Sequence, residues 1–168
     1  MTDVVSIELL LDPETEAGVR ADWARLADAG LSSLGAHLAP SNRPHITLLV
    51  RSALDPITFP AAASLLPVRV DLAEPVTFTH RDRAVLAWRV TPSDDLRKLH
   101  RAVHATVPPG ADAPHTAPGD WTPHVTLARR LRVASLPEAL SLIGPPRAGT
   151  GTSLRRWDAA TATVTPLS

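Results

Sequence analysis

The 168-residue chain has no cysteine and no tyrosine, few aromatic residues, and only one lysine among its 17 cations. Without cysteine there can be no disulfide framework, no thiolate metal site and no cysteine nucleophile. Seventeen Lys+Arg against seventeen Asp+Glu leave no net charge, so no global field gathers long nucleic acid. No apolar run approaches membrane-spanning length. The opening MTDVVSIELLLD lacks the basic flank and long apolar core of a secretory signal. A cytoplasmic enzyme or binding protein, with no membrane and no stable protein partner, is the expectation. The cations present are almost all arginine, the residue suited to bidentate phosphate contact, although a GC-rich genome produces the same bias.

Two five-residue words stand out: Pro44-His45-Ile46-Thr47-Leu48 and Pro123-His124-Val125-Thr126-Leu127, offset by 79 positions. At the same offset Pro13 falls on Pro92, Asp12 on Thr91 and Arg51 on Arg130. Ile7, Leu9 and Leu11 fall on Leu86, Trp88 and Val90. Val4 to Leu11 has strand length and alternating apolar residues. Asp12-Pro13-Glu14 reads as a helix start, with Gly30 as its stop. Thr91-Pro92-Ser93-Asp94 repeats that chemistry, with Leu96, Leu99 and Val103 on one face. These coincidences at one offset predict two copies of a β-α-β unit within a single domain, 1–168. Further strands are predicted over 68–79, 84–90 and 154–165, with short helices within 55–67 and near 137–143.

In a strand, a residue and its second neighbour share a face about 7 Å apart. His45 and Thr47 therefore point one way, as do His124 and Thr126, while Ile46, Leu48, Val125 and Leu127 pack behind them. Two copies set opposite each other make a cleft with two imidazoles and two hydroxyls. One ring can take a proton while the other gives one, and the hydroxyls can hold charged oxygens. A phosphoester suits such a site. Single strand histidines and threonines are ordinarily structural; their paired context makes the functional reading the stronger one.

The words PHITL and PHVTL in this duplicated frame resemble the two H-x-[ST]-x signatures of the two-histidine (2H) phosphoesterase superfamily. TPHVTLARR is most similar to its RNA 2′,3′-cyclic phosphodiesterase branch, also called 2′-5′ RNA ligase-like. The resemblance implies an α+β, bilobal fold with two antiparallel sheets facing a central cleft and helices outside. It implies His45 as proton donor, His124 as proton acceptor, and Thr47 and Thr126 as phosphate-binding residues, with no metal or other cofactor. The expected reaction is metal-independent hydrolysis of a 2′,3′-cyclic phosphate, on a cyclic nucleotide or RNA 3′ terminus, to a 2′-phosphate.

Three arginines are further candidates for phosphate or substrate. Strand parity puts Arg51 and Arg130 on the histidine face, whereas the family's arginine maps to Arg129. The segment after PHITL, LVRSALD, departs from the branch's usual pattern, and only Phe59, Phe78 and four tryptophans are available to stack a base. Trp121 can wall the cleft or serve packing. His100 and His104 are spaced as metal ligands can be, but no acid or cysteine completes a set, so a solvated helix flank is expected. His37, His80 and His115 read as surface residues. One alternative is a non-catalytic phosphate or RNA-end binding protein using the same cleft. The other is a zinc hydrolase, for which the motifs supply too few ligands.

Overall fold

The computed structural model describes residues 3–168. Strand β1 (Val5–Leu11) leads into helix α1 (Pro13–Asp28), and strand β2 (His45–Arg51) follows a single 3-10 turn. A short helix α2 (Pro60–Ala63) precedes the hairpin of β3 (Val68–His80) and β4 (Arg83–Val90). Helix α3 (Asp94–Thr106), strand β5 (His124–Arg132), helix α4 (Leu136–Leu142) and strands β6 (Arg147–Asp158) and β7 (Thr163–Pro166) complete the chain. The fold is α+β.

The helix starts follow from local chemistry. Asp12 accepts from the Thr15 amide at 3.0 Å, and Pro13 sits where no amide bond is needed. In the second unit the cap is Ser93, which accepts from the Leu96 amide at 3.2 Å. The expected match of Thr91 to Asp12 therefore does not extend to capping. The Thr91 amide is bonded instead to the Asp71 carbonyl, which holds Thr91 and Pro92 outside the helix.

The duplication survives in the backbone down to its irregularities. In β1 and β2, Leu9 pairs with Ile46 and Glu8 with Thr47, and a β-bulge then skips Leu48 so that Ile7 pairs with Leu49. In β4 and β5, Trp88 pairs with Val125 and Ala87 with Thr126, and a bulge skips Leu127 so that Leu86 pairs with Ala128. Every one of these pairs is related to its counterpart by the same offset of 79.

The two expected sheets are one. The hydrogen-bonded order is β2-β1-β6-β3-β4-β5, all antiparallel, with β7 on β6. Strand β6 joins the halves: Arg147–Gly151 pair with β3, and Gly151–Asp158 pair with β1. Its start was missed in the sequence because Ala148-Gly149-Thr150-Gly151 lacks apolar alternation. The glycines are there for clearance. A Cβ at Gly149 would collide with the Thr15 side chain, and one at Gly151 with Leu9. The predicted last strand is two, β6 and β7, separated by a turn in which Ala162 has φ 50°.

Helix α1 packs on β5 and β6, and α3 on β2 and β3, so each helix spans structure from both halves. A single buried cluster results, running from Ile7, Leu9 and Trp23 through Leu86, Trp88 and Leu99. His100 and His104 are not on a solvated flank. His100 is 3% exposed, stacks flat on Trp121 with ring centroids 3.9 Å apart, and bonds the Thr116 carbonyl at 2.8 Å. His104 bonds the Leu48 carbonyl at 2.9 Å. An apolar helix face continuing through two imidazoles hides its polarity when one nitrogen of each ring finds a carbonyl.

Burial pushes the His100 imidazole down to about 4, against an ordinary value of 6.5. The unfolded chain therefore binds a proton there that the folded chain refuses. Folding stability should be fully retained above about pH 6.5 and fall as the pH drops towards 4. His100→Phe, which keeps the stack on Trp121, should flatten that part of the profile when urea midpoints are compared across pH. An unchanged profile would contradict this account.

Candidate active site

The motif strands β2 and β5 are the two ends of the sheet, and they come into contact across the molecule. Their outward backbone groups have no strand partner, and two tryptophans seal them. The Trp121 indole donates to the Thr47 carbonyl at 3.1 Å, and the Trp23 indole donates to the Thr126 carbonyl at 3.0 Å. Each tie crosses from one half to the motif of the other. His45 lies within range of His124, on which its charge acts, and Ile46, Leu48, Val125 and Leu127 are fully buried behind the motif residues.

Both rings are held in the same way. His45 Nδ1 lies 2.7 Å from the Arg43 carbonyl and His124 Nδ1 2.8 Å from the Thr122 carbonyl, each two residues upstream. A carbonyl only accepts, so Nδ1 carries the hydrogen in both rings and Nε2 is left for chemistry. In the neutral ring Nε2 accepts a proton; in the charged ring it donates one.

The surroundings differ. His124 is pushed below the ordinary imidazole value, chiefly by burial and then by the positive charge of His45, His115 and Arg129; the bond to the Thr122 carbonyl opposes this only in part. Phe78 packs against its ring with centroids 5.0 Å apart. His45 faces the Glu8 carboxylate, with Nε2 3.5 Å from Oε1, a contact that is an ion pair only when His45 carries a proton. Glu8 also accepts from Ser6 Oγ at 2.8 Å and from Arg155 Nε at 2.6 Å.

The bulges decide which arginine reaches this region. Skipping Leu48 and Leu127 inverts the alternation beyond the threonines, so the strand-parity expectation for Arg51 and Arg130 fails. Arg51 is buried on the other side, bonded to Asp112 at 2.9 Å and to the Pro108 carbonyl. Arg130 is exposed. Arg129 lies near His124 and lines a cavity of about 320 Å³ that also contains His45, Glu8, Arg155, His37 and Trp157. A larger concavity, about 650 Å³ around Thr15, Arg25 and Arg147, contains neither histidine. Its two arginines are held by the buried Asp22, which also accepts from the Trp88 indole and the Gly144 amide. The smaller cavity is lined by His45 but not by His124, Thr47 or Thr126.

The matching family model is that of the 2′-5′ RNA ligase superfamily, and it covers residues 13–168. The chain belongs to that superfamily, whose enzymes are two-histidine phosphoesterases. Among solved structures, E. coli LigT complexed with 3′-AMP is similar over 99% of this chain and 95% of that one, with 17% identity and a TM-score of 0.57. Kluyveromyces marxianus Usb1 is similar over 99% of this chain and 98% of that one, at 11% identity and a TM-score of 0.45. A structure described as a phosphoesterase is 17% identical, with a TM-score of 0.46, over 100% of this chain and 97% of that one. No curated protein matches the chain. At these identities the structural likeness extends to the fold.

Sequence reasoning passed over Glu8 and Arg155. A lone acid inside the apolar run VVSIELLLD was the available signal for Glu8; Arg155 carried none, and Phe78, considered for stacking a base, packs against the His124 ring. Of the other aromatics, Phe59, Trp23 and Trp88 are core, Trp121 is committed to His100 and Thr47, and Trp157 reaches the cavity. Among the described residues no group of three His, Cys, Asp or Glu is arranged to hold a metal ion. Among the described residues no helix is long and apolar enough to cross a membrane.

The indole ties should be measurable. Trp121→Phe keeps an aromatic face for His100 but leaves the Thr47 carbonyl without its donor, and Trp23→Phe does the same to Thr126. Each should cost about 1–3 kcal/mol in urea unfolding. A loss near zero would mean that these carbonyls find other partners.

Proposed function

We propose that this phosphoesterase hydrolyses 2′,3′-cyclic phosphates, on a nucleotide or an RNA 3′ end, to 2′-phosphates without a metal ion. The observation that carries the reading is the pair of matched imidazoles, both with Nδ1 committed to a carbonyl, in unlike electrostatic settings, with His45 Nε2 facing the Glu8 carboxylate. His124, kept neutral by burial, takes a proton from water as the water oxygen bonds to phosphorus. His45, beside Glu8, gives its proton to the 3′ oxygen as the P–O3′ bond breaks. The products are a 2′-phosphate and a 3′-hydroxyl. The rings end in exchanged protonation states, and solvent resets them. Thr47 and Thr126 hold the phosphoryl oxygens as charge builds on them, and Arg129 adds a cation beside them. The donor set supports metal independence. Each motif histidine has one ring nitrogen to offer, and the nearby Glu8 carboxylate is already held by Ser6 and Arg155.

Productive enzyme has His45 charged and His124 neutral, so kcat/KM should be bell-shaped in pH, with limbs that belong to the coupled pair. The depressed His124 stays a base at lower pH, which puts the acid limb below the ordinary imidazole value. Assayed on 2′,3′-cyclic mononucleotides and cyclic-ended oligonucleotides, His45→Ala and His124→Ala should each lose at least about 10²-fold. The double variant should lose much less than the product of the two. Thr47→Ala and Thr126→Ala should lose less than either histidine. Turnover should survive EDTA. Near-normal turnover by folded His124→Ala, or a 3′-phosphate product, would overturn the reading.

A further inference from the structure

The duplicated site is symmetric in its histidines, threonines, carbonyl contacts and bulges, yet acid–base catalysis requires the two rings to differ. The offset of 79 shows where the symmetry breaks. Glu8, paired with Thr47 in β1, corresponds to Ala87, paired with Thr126 in β4. Its partner Arg155 lies opposite it on β6, a strand outside the duplicated units. The carboxylate is therefore present beside one motif and replaced by a methyl beside the other.

We propose that Glu8 is a positioning residue that sets the polarity of the histidine pair, holding the proton on His45 and so making His45 the acid. The proposal rests on the phosphodiesterase reading above. Glu8 is 3% exposed, and its two oxygens are divided: Oε2 takes the Arg155 guanidinium at 2.6 Å, while Oε1 takes Ser6 at 2.8 Å and faces His45 Nε2 at 3.5 Å. A buried ion pair is a poor source of stability, because desolvation offsets its attraction. This one has a use. Arg155 and Ser6 fix the carboxylate in place and leave one oxygen aimed at the ring. Burial would raise Glu8, but the charges of His45 and Arg155 with the Ser6 hydroxyl outweigh it and hold the carboxyl below its ordinary value, so the counter-charge is permanent at working pH. At Ala87 there is no such charge, and burial acts on His124 without a carboxylate to oppose it.

The charged and titratable groups around His45 come from every neighbouring element. They are Glu8 on β1, Arg155 on β6, Arg129 and His124 on β5, and His37 before β2, while His104 of α3 contacts the Leu48 carbonyl. Glu8 is the carboxylate among them. Two variants of the full chain move its field in opposite directions. Glu8→Gln removes the negative charge, and Arg155→Gln removes the cation that competes with His45 for it. Histidine side-chain NMR titrations should show the His45 midpoint falling by roughly one pH unit in Glu8→Gln and rising in Arg155→Gln, with His124 moving less in both. The alkaline limb of kcat/KM should follow His45, down in the first variant and up in the second, while the acid limb stays. A packing defect would lower the whole profile without moving a limb. If Glu8→Gln fails to fold, the upward shift in Arg155→Gln must still appear. Unmoved His45 midpoints in folded variants, or shifts of the same sign, would overturn the proposal. Absence of turnover by the wild-type chain would instead sink the phosphodiesterase reading, and the ring titrations would still decide whether Glu8 holds the proton.

Discussion

Two indole hydrogen bonds, from Trp121 to the Thr47 carbonyl and from Trp23 to the Thr126 carbonyl, govern what this architecture can do. The motif strands lie at opposite ends of a sheet, and an end strand exposes unpaired carbonyls that attract other chains. Here the sheet curls until its ends meet, and each end is sealed by a tryptophan from the other half. The closure that protects the edges also brings His45 within range of His124, on whose proton affinity its charge acts. Fold and site therefore share a constraint: anything that opens the seam both exposes the carbonyls and separates the rings.

The bulges extend this link to side-chain direction. Without them His45, Thr47, Leu49 and Arg51 would share a face, sending a core leucine into the cleft. Skipping Leu48 turns Leu49 back to the interior and carries Arg51 to its bond with Asp112. In β5 the same skip buries Ala128 and leaves Arg129 on the cleft side. One irregularity, repeated, gives an apolar interior and a polar rim on strands too short to supply both by alternation.

Much of this was legible in the residues alone. The shared offset announced the duplication, and the repeated words announced two strands with Ile46, Leu48, Val125 and Leu127 buried behind the histidines, because strand parity and cap chemistry are local. What stayed hidden depended on pairing. A bulge has no signature in HITLLVR, so the parity argument went astray at Arg51 and Arg130. Strand β6 was obscured by glycines whose purpose is clearance from Thr15 and Leu9, contacts made far along the chain. His100 and His104 read as polar flank until the carbonyls of Thr116 and Leu48 were brought to them.

Duplication also explains why the informative residue is an unmatched one. A perfect repeat would give both histidines the same environment, and two equal rings sharing one proton would hold it on either with equal weight, so half of the singly protonated molecules would have the wrong ring charged. Useful asymmetry has to enter from positions where the copies diverge or from elements outside them. Glu8 against Ala87 is such a divergence, and Arg155 comes from the strand that the two halves share. The conserved geometry of the repeat brings the rings together; the departure from it gives each ring a different task. Departures within the first strand of each unit, rather than the repeated words, are thus the place to look for what distinguishes acid from base.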